Sequence, residues 1–532
     1  MVTGMYDEDI ARYRRQRCAE ATDRRVRQLI VATLYGGCTG SESHTDISML
    51  VTSWPFADTP KRLPLSGDFV MSMRHLCAAI CIAVAATQAC RAADTAAQAL
   101  PETMDMLRHA IATPTEEGNG KVPELAAYLA GRLESAGFDK ADIEIIPVGE
   151  TAALVARYRG TGEGKPILLS GHMDVVAAKR KDWARDPFTL VEENGYLYGR
   201  GSADMKTAVV VLVETLIRLK REGFKPSHDL ILLLSGDEET AMASTRELAK
   251  RYHDAEFLLN ADAGGGTLNP ATGKPTVYEI QAAEKTYADF QIGLTSPGGH
   301  SSEPTADNAI YRLARIIDRV AAYQFPPMIN PITRASLHAT GTHTPGPLGA
   351  AMIQFAAHPD DAAAAATISA DPAYVGQIRT TCVATMLNGG HALNALPQSA
   401  SLNVNCRIFP GTPVASVRDT LIKVIDDKSA SVTVLPPPPV DSPASPLRQD
   451  VIAAVTNAVH QRFPGVEVVP GMSAGASDSM YFRNVGVPSY GIDAAFTKPD
   501  DTFAHGLNEK LPASEVAAGL GFWHRVLMQL AK

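Results

Sequence analysis

Three short apolar runs, each followed closely by a histidine or an acid, constrain the fold of this chain more than any other feature. The runs are 167–169, 230–234 and 257–259. The first is too short for a helix and suits a strand that is buried on both faces. Helix-like stretches separate the runs, so strands and helices alternate. Such alternation predicts an α/β fold, a mostly parallel sheet with helices on both faces.

Each predicted strand delivers a metal-binding type of side chain to its carboxyl end. His172 follows the first run, Glu238 and Glu239 follow the second, and Asp262 follows the third. In open α/β sheets, sites form beyond the carboxyl ends of the strands. A buried acidic pair is costly unless it is paired or bound to a metal. The pattern therefore predicts a metal site, and the alternative is an exposed turn with solvated carboxylates.

A glycine-rich turn at 199–204 ends in Asp204, just before a helix-like stretch. A carboxylate there could bind one metal, or bridge two that lie about 3.5–4 Å apart. Imidazole suits zinc, and Asp174, two residues after His172, could hold the imidazole ring in place. A His-x-Asp pair alone is a weak signal, because most such pairs are surface or capping residues. The neighbouring acids strengthen it here.

The pattern changes after residue 285. An alternating strand, a tight loop, a helix and a proline- and alanine-rich stretch at 325–371 lead into further short strands and a helix. This is an α+β unit inserted into the first domain, and four prolines at 436–439 form a stiff linker at its exit. We predict a catalytic domain in two parts with the inserted unit between them, at 100–285, 286–437 and 438–532.

Composition narrows the functional classes. The formal net charge is -9, and no basic run is interleaved with aromatic residues, which argues against a nucleic-acid partner. The 45% hydrophobic and 20% charged content is typical of a soluble globular protein. A Walker A loop, an HExxH helix and a clear dinucleotide-binding motif are all absent from the sequence.

The N-terminal region reads as a targeting segment. A charged start, an apolar run and then small residues at 71–93 predict a secretory signal peptide that begins at Met71 or Met73. The apolar run is shorter than the ~20 residues that span a membrane, so we expect no stable anchor. The alternative is a buried helix. Residues 1–70 would then be a non-native or disordered leader, and the mature protein would be periplasmic or secreted.

Two of the seven cysteines, Cys382 and Cys406, lie after the predicted signal peptide. They are equally distant in sequence from Asn394, in a hairpin-like connection, so we expect them opposite each other on neighbouring strands. Cross-strand Cβ atoms about 4.5–5.5 Å apart are slightly too far for a disulfide. The spacing therefore permits a disulfide but does not favour it.

From about residue 103 to the end, the chain resembles the co-catalytic zinc metallopeptidases that include aminoacylase, acetylornithine deacetylase, glutamate carboxypeptidase and the carnosine-type dipeptidases. The resemblance is carried, in order, by the motifs SGHMDVV, GRGSADMK, SGDEET, NADAGG, SPGGHSS, NALP and FAHG. It implies two zinc ions, although mixed histidine and carboxylate sites could also accept manganese or cobalt. It implies that Asp204 bridges the ions and that the ligands are His172, Asp204, Glu239, Asp262 and His505.

The resemblance also implies roles for other residues. Glu238 would be the general base and Asp174 would orient His172. The inserted unit would be a lid that forms a homodimer, and His300 would reach the partner subunit's site to stabilise the oxyanion. The substrate contacts implied are Asn394 and Arg407, for the substrate carboxylate, and the backbone of Gly475. Arginine suits a carboxylate because it binds in a bidentate manner. The alternatives are a surface histidine, a turn asparagine and a surface arginine.

We therefore predict a hydrolase that cleaves a small peptide next to a free carboxylate, a dipeptidase or carboxypeptidase. A deacylase of N-acyl amino acids is the alternative on the same site. A serine hydrolase is a remote alternative, because Ser473 lies in a Gly-x-Ser-x-Gly pattern and Asp501 and His505 follow it in triad order. That interpretation leaves the acidic cluster without a purpose. A non-catalytic binding protein would need a lost ligand or base, and none is missing.

Overall fold

The computed structural model of the chain describes residues 98–532 except 163, 500 and 502. The predicted leader at 1–70 and the predicted signal peptide at 71–93 lie outside the described residues. Within the part of the chain that is described, no helix has both the length and the apolar character needed to cross a membrane.

A ten-stranded sheet forms the core, and most of its central strands run parallel. In order across the sheet, its strands are β1 (Ile143–Val148), β2 (Thr151–Tyr158), β6 (Leu230–Ser235), β3 (Ile167–His172), β7 (Phe257–Asn260), β17 (Ser489–Gly491), β9 (Pro275–Glu284), β8 (Gly265–Leu268) and β18 (Phe496–Thr497), and β16 (Glu467–Ser473) pairs with β9. Strands β6, β3 and β7 are neighbours, and all of their residues are buried. The predicted α/β fold class is confirmed.

Helices pack against this sheet through apolar faces. They are α1 (98–112), α2 (Val122–Ser135), α3 (Lys206–Glu222), α4 (Ala243–Arg251), α10 (Gln449–Arg462), α11 (Ser479–Asn484) and α12 (Ser514–Leu530). Helix α3 starts directly after the turn that carries Asp204 and ends at Gly223, which takes the left-handed conformation (φ 75°) common at helix ends. The start of α3 thus fixes where Asp204 lies.

A second sheet of four strands lies between residues 286 and 434. Its order is β12 (Thr381–Gly389), β14 (Ser399–Ile408), β10 (Thr286–Thr295) and β15 (Ser431–Val434), and all of its neighbouring strands are antiparallel. Helices α5 (Ala309–Ala322) and α9 (Val414–Ile425) cover its buried face. This is the inserted α+β unit, which we call the lid. The predicted domain limits at 285 and 437 stay predictions.

Two small sheets complete the strands. One pairs β11 (Gly299–His300) with β13 (Ala395–Leu396), and the other contains β4 (Val191–Glu193), β5 (Tyr196–Tyr198) and β19 (Lys510–Pro512). The second small sheet lies next to the site in the chain, because β5 leads into the turn of Asp204 and β19 follows the loop of His505. Sequence patterns did not predict it.

The proline- and alanine-rich stretch at 325–371, for which the sequence predicted no secondary structure, contains three helices. They are α6 (Pro331–His343), α7 (Pro347–Ala357) and α8 (Ala362–Ser369), and they share a small apolar core of their own. Pro331 and Pro347 stand in the first turn of a helix, where a missing N–H costs nothing. These two prolines therefore mark helix starts and do not interrupt a helix.

The register places Cys382 directly opposite Cys406, as predicted. Their Cα atoms are 4.1 Å apart and the two residues form a disulfide. The sequence argument did not favour this bond because it used an average Cβ separation for facing residues, whereas the Cα atoms of this pair are closer than the ~4.5–5.5 Å usual for facing residues.

Candidate active site

The carboxyl ends of β3, β6 and β7 meet at one edge of the main sheet. His172 is the last residue of β3 and pairs in register with Ser235, the last residue of β6. The chain beyond β6 carries Glu238 and Glu239, and the chain beyond β7 carries Asp262. Because the three strands are adjacent and parallel, these side chains converge as the sequence predicted.

Donor atoms of five side chains form two overlapping triads that share Asp204. His172, Asp204 and Asp262 offer atoms within 4.8 Å of one another, and so do Asp204, Glu239 and His505. In the first triad, Nε2 of His172 lies 3.0 Å from Asp204 Oδ1 and 3.5 Å from Asp262 Oδ1. In the second triad, Nε2 of His505 lies 3.0 Å from Glu239 Oε1 and 3.2 Å from Asp204 Oδ2. Asp204 therefore presents one oxygen to each triad.

The ring of His172 is held in one orientation. Its Nδ1 lies 3.0 Å from the backbone carbonyl oxygen of Asp174 and 3.5 Å from that residue's carboxylate, so Nε2 is left to face the acids. The Asp174 carboxylate mainly serves another purpose, because it accepts the backbone N–H groups of Glu238 (3.1 Å) and Glu239 (3.0 Å). Asp174 thus ties the loop of the two glutamates to the strand end of His172.

The Glu238 side chain is buried beside both triads. Burial raises its pKa well above the ordinary value, and the nearby Asp262 and Asp478 add to this effect although His172 opposes it. Burial likewise raises the pKa of Asp262 to about 6. A carboxyl group with a raised pKa holds and releases protons closer to neutral pH, which is the property required of a general acid or base.

His505 differs from the other five side chains in its exposure. Its side chain is 55% exposed, and its backbone has a positive φ of 62°. Hydrogen bonds to Asp204 and Glu239 raise the pKa of His505 to about 10. The same hydrogen bonds act in the opposite direction on the acid. Burial alone would raise the pKa of Asp204, but hydrogen bonds from His172 and His505 lower it below its ordinary value.

The donor set fits a pair of divalent cations. The two triads and Glu238 together supply four carboxylates and two imidazoles. Among the described residues, no lysine or arginine forms an ion pair with any of these carboxylates, and the two imidazoles are the ion-pair partners of Asp204, Asp262 and Glu239. Four acids concentrated at a largely buried edge are costly without compensating positive charge. Mixed oxygen and nitrogen donors of this kind suit zinc, manganese or cobalt.

The lid residues that were predicted to act on substrate lie in two separate parts of the lid. His300 pairs in register with Ala395, and Ser301 N donates to the carbonyl of Asn394 (3.1 Å), so His300 and Asn394 are neighbours on the lid. His300 is exposed, and its ring nitrogen bonds to Ser302 Oγ at 2.6 Å. Among the described residues, no hydrogen bond or ion pair joins His300 to the two triads.

Arg407 lies in the other part of the lid, away from His300. It extends from β14, stacks over the Tyr287 ring (4.7 Å to the centroid) and reaches the carbonyl of Ala474 at 3.4 Å. Ala474 directly precedes Gly475, whose N–H donates to Ser473 Oγ at 2.9 Å. The structure thus brings Arg407 next to the exposed Gly475. The roles of all these residues stay predictions.

The serine-hydrolase alternative finds no support in the geometry. Ser473 Oγ accepts from Gly475 N, and His505 contacts Asp204 and Glu239. Asp501 accepts from the Tyr196 hydroxyl. Within the described part of the chain, no hydrogen bond links Ser473, Asp501 and His505 into a relay.

Sequence reasoning missed buried polar residues that support the site. Asp478 accepts from the hydroxyls of Ser235 (2.5 Å) and Thr245, and burial raises its pKa to about 7. Arg200 and Glu509 form a buried ion pair (2.6 Å) beside the turn of Asp204. Arg200 lies within the motif GRGSADMK, but no sequence pattern shows what any of these residues bind, because their partners lie hundreds of positions away in the chain.

Comparison with known proteins finds relatives of this chain among the curated sequences. The chain is 26% identical over 400 residues to "Probable carboxypeptidase S-like 2" of Dictyostelium discoideum, a match that covers 71% of this chain and 75% of that protein. It is 28% identical over 368 residues to "N-fatty-acyl-amino acid synthase/hydrolase PM20D1" of Mus musculus, with 65% and 70% covered.

A solved structure, the M20 family metallo-carboxypeptidase Sso-CP2 of Sulfolobus solfataricus, has the same fold. It superposes with a TM-score of 0.62 at 18% identity and covers 81% of this chain and 99% of that one. The sequence model of Peptidase family M20/M25/M40 matches residues 168–529, which include both triads. This match spans well over half of the chain, and the protein therefore belongs to peptidase family M20/M25/M40.

Proposed function

We propose that this hydrolase uses two zinc ions to cleave a peptide or amide bond next to a free carboxylate. The observation that carries the proposal is the pair of triads sharing Asp204, with Glu238 buried beside them. In this proposal, one ion is held by His172, Asp204 and Asp262, and the other by Asp204, Glu239 and His505. When bound, such ions lower the pKa of water toward ~7 and polarise a carbonyl group.

Side chains and backbone groups of the chain transfer the proton and bind the substrate. Glu238 takes the proton from the attacking water and returns it to the leaving amine, because it is the one acid of the cluster that belongs to neither proposed ligand set. Arg407 binds the substrate carboxylate as a bidentate partner. Asn394, which neighbours His300 on the lid, contacts the substrate from the same lid segment as His300. Gly475 offers its backbone to the substrate close to the guanidinium of Arg407. Substrate thus lies between the sheet edge and the lid.

Two substrate classes suit this site. A dipeptidase or carboxypeptidase activity agrees with the name of the Dictyostelium relative. A deacylase of N-acyl amino acids agrees with the name of the mouse relative, and it is favoured by the two apolar side chains near His505. Phe503 and Leu507 are each 55% exposed there, where they could contact an acyl chain. Both classes leave a free carboxylate for Arg407.

We also propose that the protein is a homodimer formed through the lid. Strand β12 is an edge of the lid sheet, and it exposes Val383, Met386 and Leu387 by 60%, 64% and 62%. Exposed apolar edge strands are normally covered in stable proteins. A second copy would cover this edge, and His300 would then act in the partner's site, which accounts for its lack of contact with its own triads.

Export from the cytoplasm is proposed on two grounds. The predicted signal peptide at 71–93 precedes the described residues, and the disulfide between Cys382 and Cys406 suits an oxidising compartment. N-terminal sequencing of protein recovered from its native host tests this, and a mature start near Ala92 or Ala93 is expected. A mature N-terminus within 1–70 would refute it.

The decisive variant for the proposed chemistry is Glu238→Gln, which keeps the size of the side chain and removes the base. We expect kcat to fall by about 10²–10⁴, the usual contribution of a positioned acid or base, while two zinc ions remain bound. The measurement combines metal analysis with turnover of a dipeptide panel and an N-acyl amino acid panel. Near-normal turnover at full metal content would refute the role of Glu238, and the preferred panel decides between the two substrate classes.

A further inference from the structure

The turn that carries Asp204 and the loop that carries His505 leave the same end of one antiparallel ladder. Lys510 pairs with Tyr198 and Leu511 with Leu197, so β19 and β5 run side by side. The ladder continues for one more bond, from Gly199 N to the Glu509 carbonyl oxygen (3.2 Å). Beyond that bond, backbone pairing stops and side chains of the two segments take over.

Glu509 binds the Asp204 turn through its carboxylate. Oε1 accepts the backbone N–H groups of Ala203 (2.7 Å) and Asp204 (2.9 Å), and both oxygens lie 3.1 Å from Gly201 N. The Glu509 side chain is fully buried. These three N–H groups find their acceptor outside the turn, in one carboxylate that lies more than 300 residues later in the chain.

Arg200 makes the reciprocal connection. Its Nη1 donates to Glu509 Oε2 (2.6 Å), and its Nη2 lies 3.3 Å from the His505 carbonyl and 3.2 Å from the Gly506 carbonyl. The Arg200 side chain is 3% exposed and packs against the Trp183 ring at 5.0 Å. A residue of the Asp204 turn thus binds the His505 loop, while a residue of the His505 loop binds the Asp204 turn.

The His505 loop needs such support. His505 is half-exposed, and Phe503, His505 and Asn508 all have positive φ (53°, 62° and 56°), a conformation that costs energy for residues other than glycine. Little packing holds the imidazole from the solvent side. Its position relative to Asp204 therefore depends on how its backbone is tied to the turn.

We propose that Arg200 and Glu509 are positioning residues that form a clasp between the two segments and set the spacing of His505 and Asp204. The clasp fixes the second triad, Asp204, Glu239 and His505, so that it is ready for its ion before the ion arrives. The first triad depends less on it, because His172 and Asp262 are placed by β3 and β7. This inference rests on the proposed function, since it concerns the affinity of one of the two proposed ions.

The test is calorimetric titration of metal-free protein with Zn²⁺. The wild type is expected to bind two ions. Glu509→Gln keeps the shape but removes the charge that three N–H groups and Arg200 share, so the affinity for one ion should fall by about 10–100-fold, as is usual when a residue supporting a ligand is lost. The other ion shares Asp204 but is otherwise held by residues of β3 and β7, so its affinity should fall clearly less. Activity of Glu509→Gln should recover as Zn²⁺ is raised.

Two further variants make the result specific. Arg200→Lys keeps the charge but cannot reach Glu509 and both carbonyls at once, so it should weaken the same ion. Glu284→Gln removes an equally buried pair, Glu284 with Arg483 at 2.6 Å, whose contacts include neither Asp204 nor His505. It should leave both affinities unchanged. Circular dichroism and urea unfolding of the metal-free variants report on folding.

The outcomes separate the clasp from the proposed function. If the wild type binds no pair of zinc ions, the proposed function is wrong. If the wild type binds two and both clasp variants do so with unchanged affinities, the clasp is wrong while the proposed function stands. An equal fall for both ions, or the same fall in Glu284→Gln, would also overturn the clasp. Should Glu509→Gln fail to fold, Arg200→Lys decides by the same criteria.

Discussion

The buried Glu214 should make the free energy of unfolding depend on pH, by an amount that its surroundings determine. It lies in α3 with its side chain fully buried, and neither carboxylate oxygen has a hydrogen-bond partner. Arg221 is 3.6 Å away. Burial, and then the charge of Glu102, raise the pKa of Glu214 to about 7 against the opposing effect of Arg221.

The sign of the pH dependence follows from linkage. The folded protein binds the proton of the Glu214 carboxyl group more tightly than the unfolded chain does. The folded state is therefore fully stabilised by this proton below about pH 4.5, and the stabilisation is lost as pH rises through about 7. A rise of the pKa from 4.5 to about 7 corresponds to about 3 kcal/mol, at ~1.4 kcal/mol per tenfold change in proton affinity. Between pH 5 and pH 8.5, about 2.5 kcal/mol of this should be lost.

The assay compares wild type with Glu214→Gln, which cannot titrate. Urea unfolding of both metal-free proteins at pH 5 and pH 8.5 gives four free energies of unfolding. The wild type should lose about 2.5 kcal/mol more than the variant between the two pH values, and the exposed Glu134→Gln should behave as the wild type does. Equal pH dependence of wild type and Glu214→Gln would refute the reasoning.

Two further predictions concern the lid. The disulfide between Cys382 and Cys406 closes a loop with a sequence separation of 24, so Cys382→Ser should lower the free energy of unfolding by about 3 kcal/mol. Peptide mapping of unreduced wild type should show the two cysteine peptides linked, and finding them unlinked would contradict the disulfide. Mixing inactive His300→Ala with inactive Glu238→Gln should partly restore activity, because a mixed dimer contains one site with an intact Glu238 and an intact partner His300. If subunits demonstrably exchange and no activity returns, His300 does not act across the dimer.

The sequence predicted those parts of the fold and site that depend on local pattern. The apolar run at 230–234 lies in the strand Leu230–Ser235, and His172, Glu239 and Asp262 meet because parallel neighbours deliver their carboxyl ends to one edge. Once the sheet is known to be parallel, the convergence follows from topology alone. No strand end carries Asp204 or His505. Asp204 was a candidate ligand because it follows a glycine-rich turn, whereas His505 was placed in the site by resemblance.

What the sequence could not predict depends on distant partners. Glu509 looks like any acid before a short strand, and only the folded ladder of β5 and β19 shows what it binds. Asp174 was expected to orient His172 and does lie against that ring, but its carboxylate also holds the N–H groups of Glu238 and Glu239, which the sequence did not predict. The helices α6 to α8 lie in a proline-rich stretch and were missed, although the prolines at the starts of α6 and α7 are compatible with a helix.

The most direct test of the central claim is a crystal structure of the protein grown with excess zinc, with anomalous scattering measured at the zinc edge. Two ions should appear about 3.5–4 Å apart, with Asp204 between them. One should contact His172 and Asp262, and the other should contact Glu239 and His505. A single ion, or ions bound away from Asp204, would contradict the account.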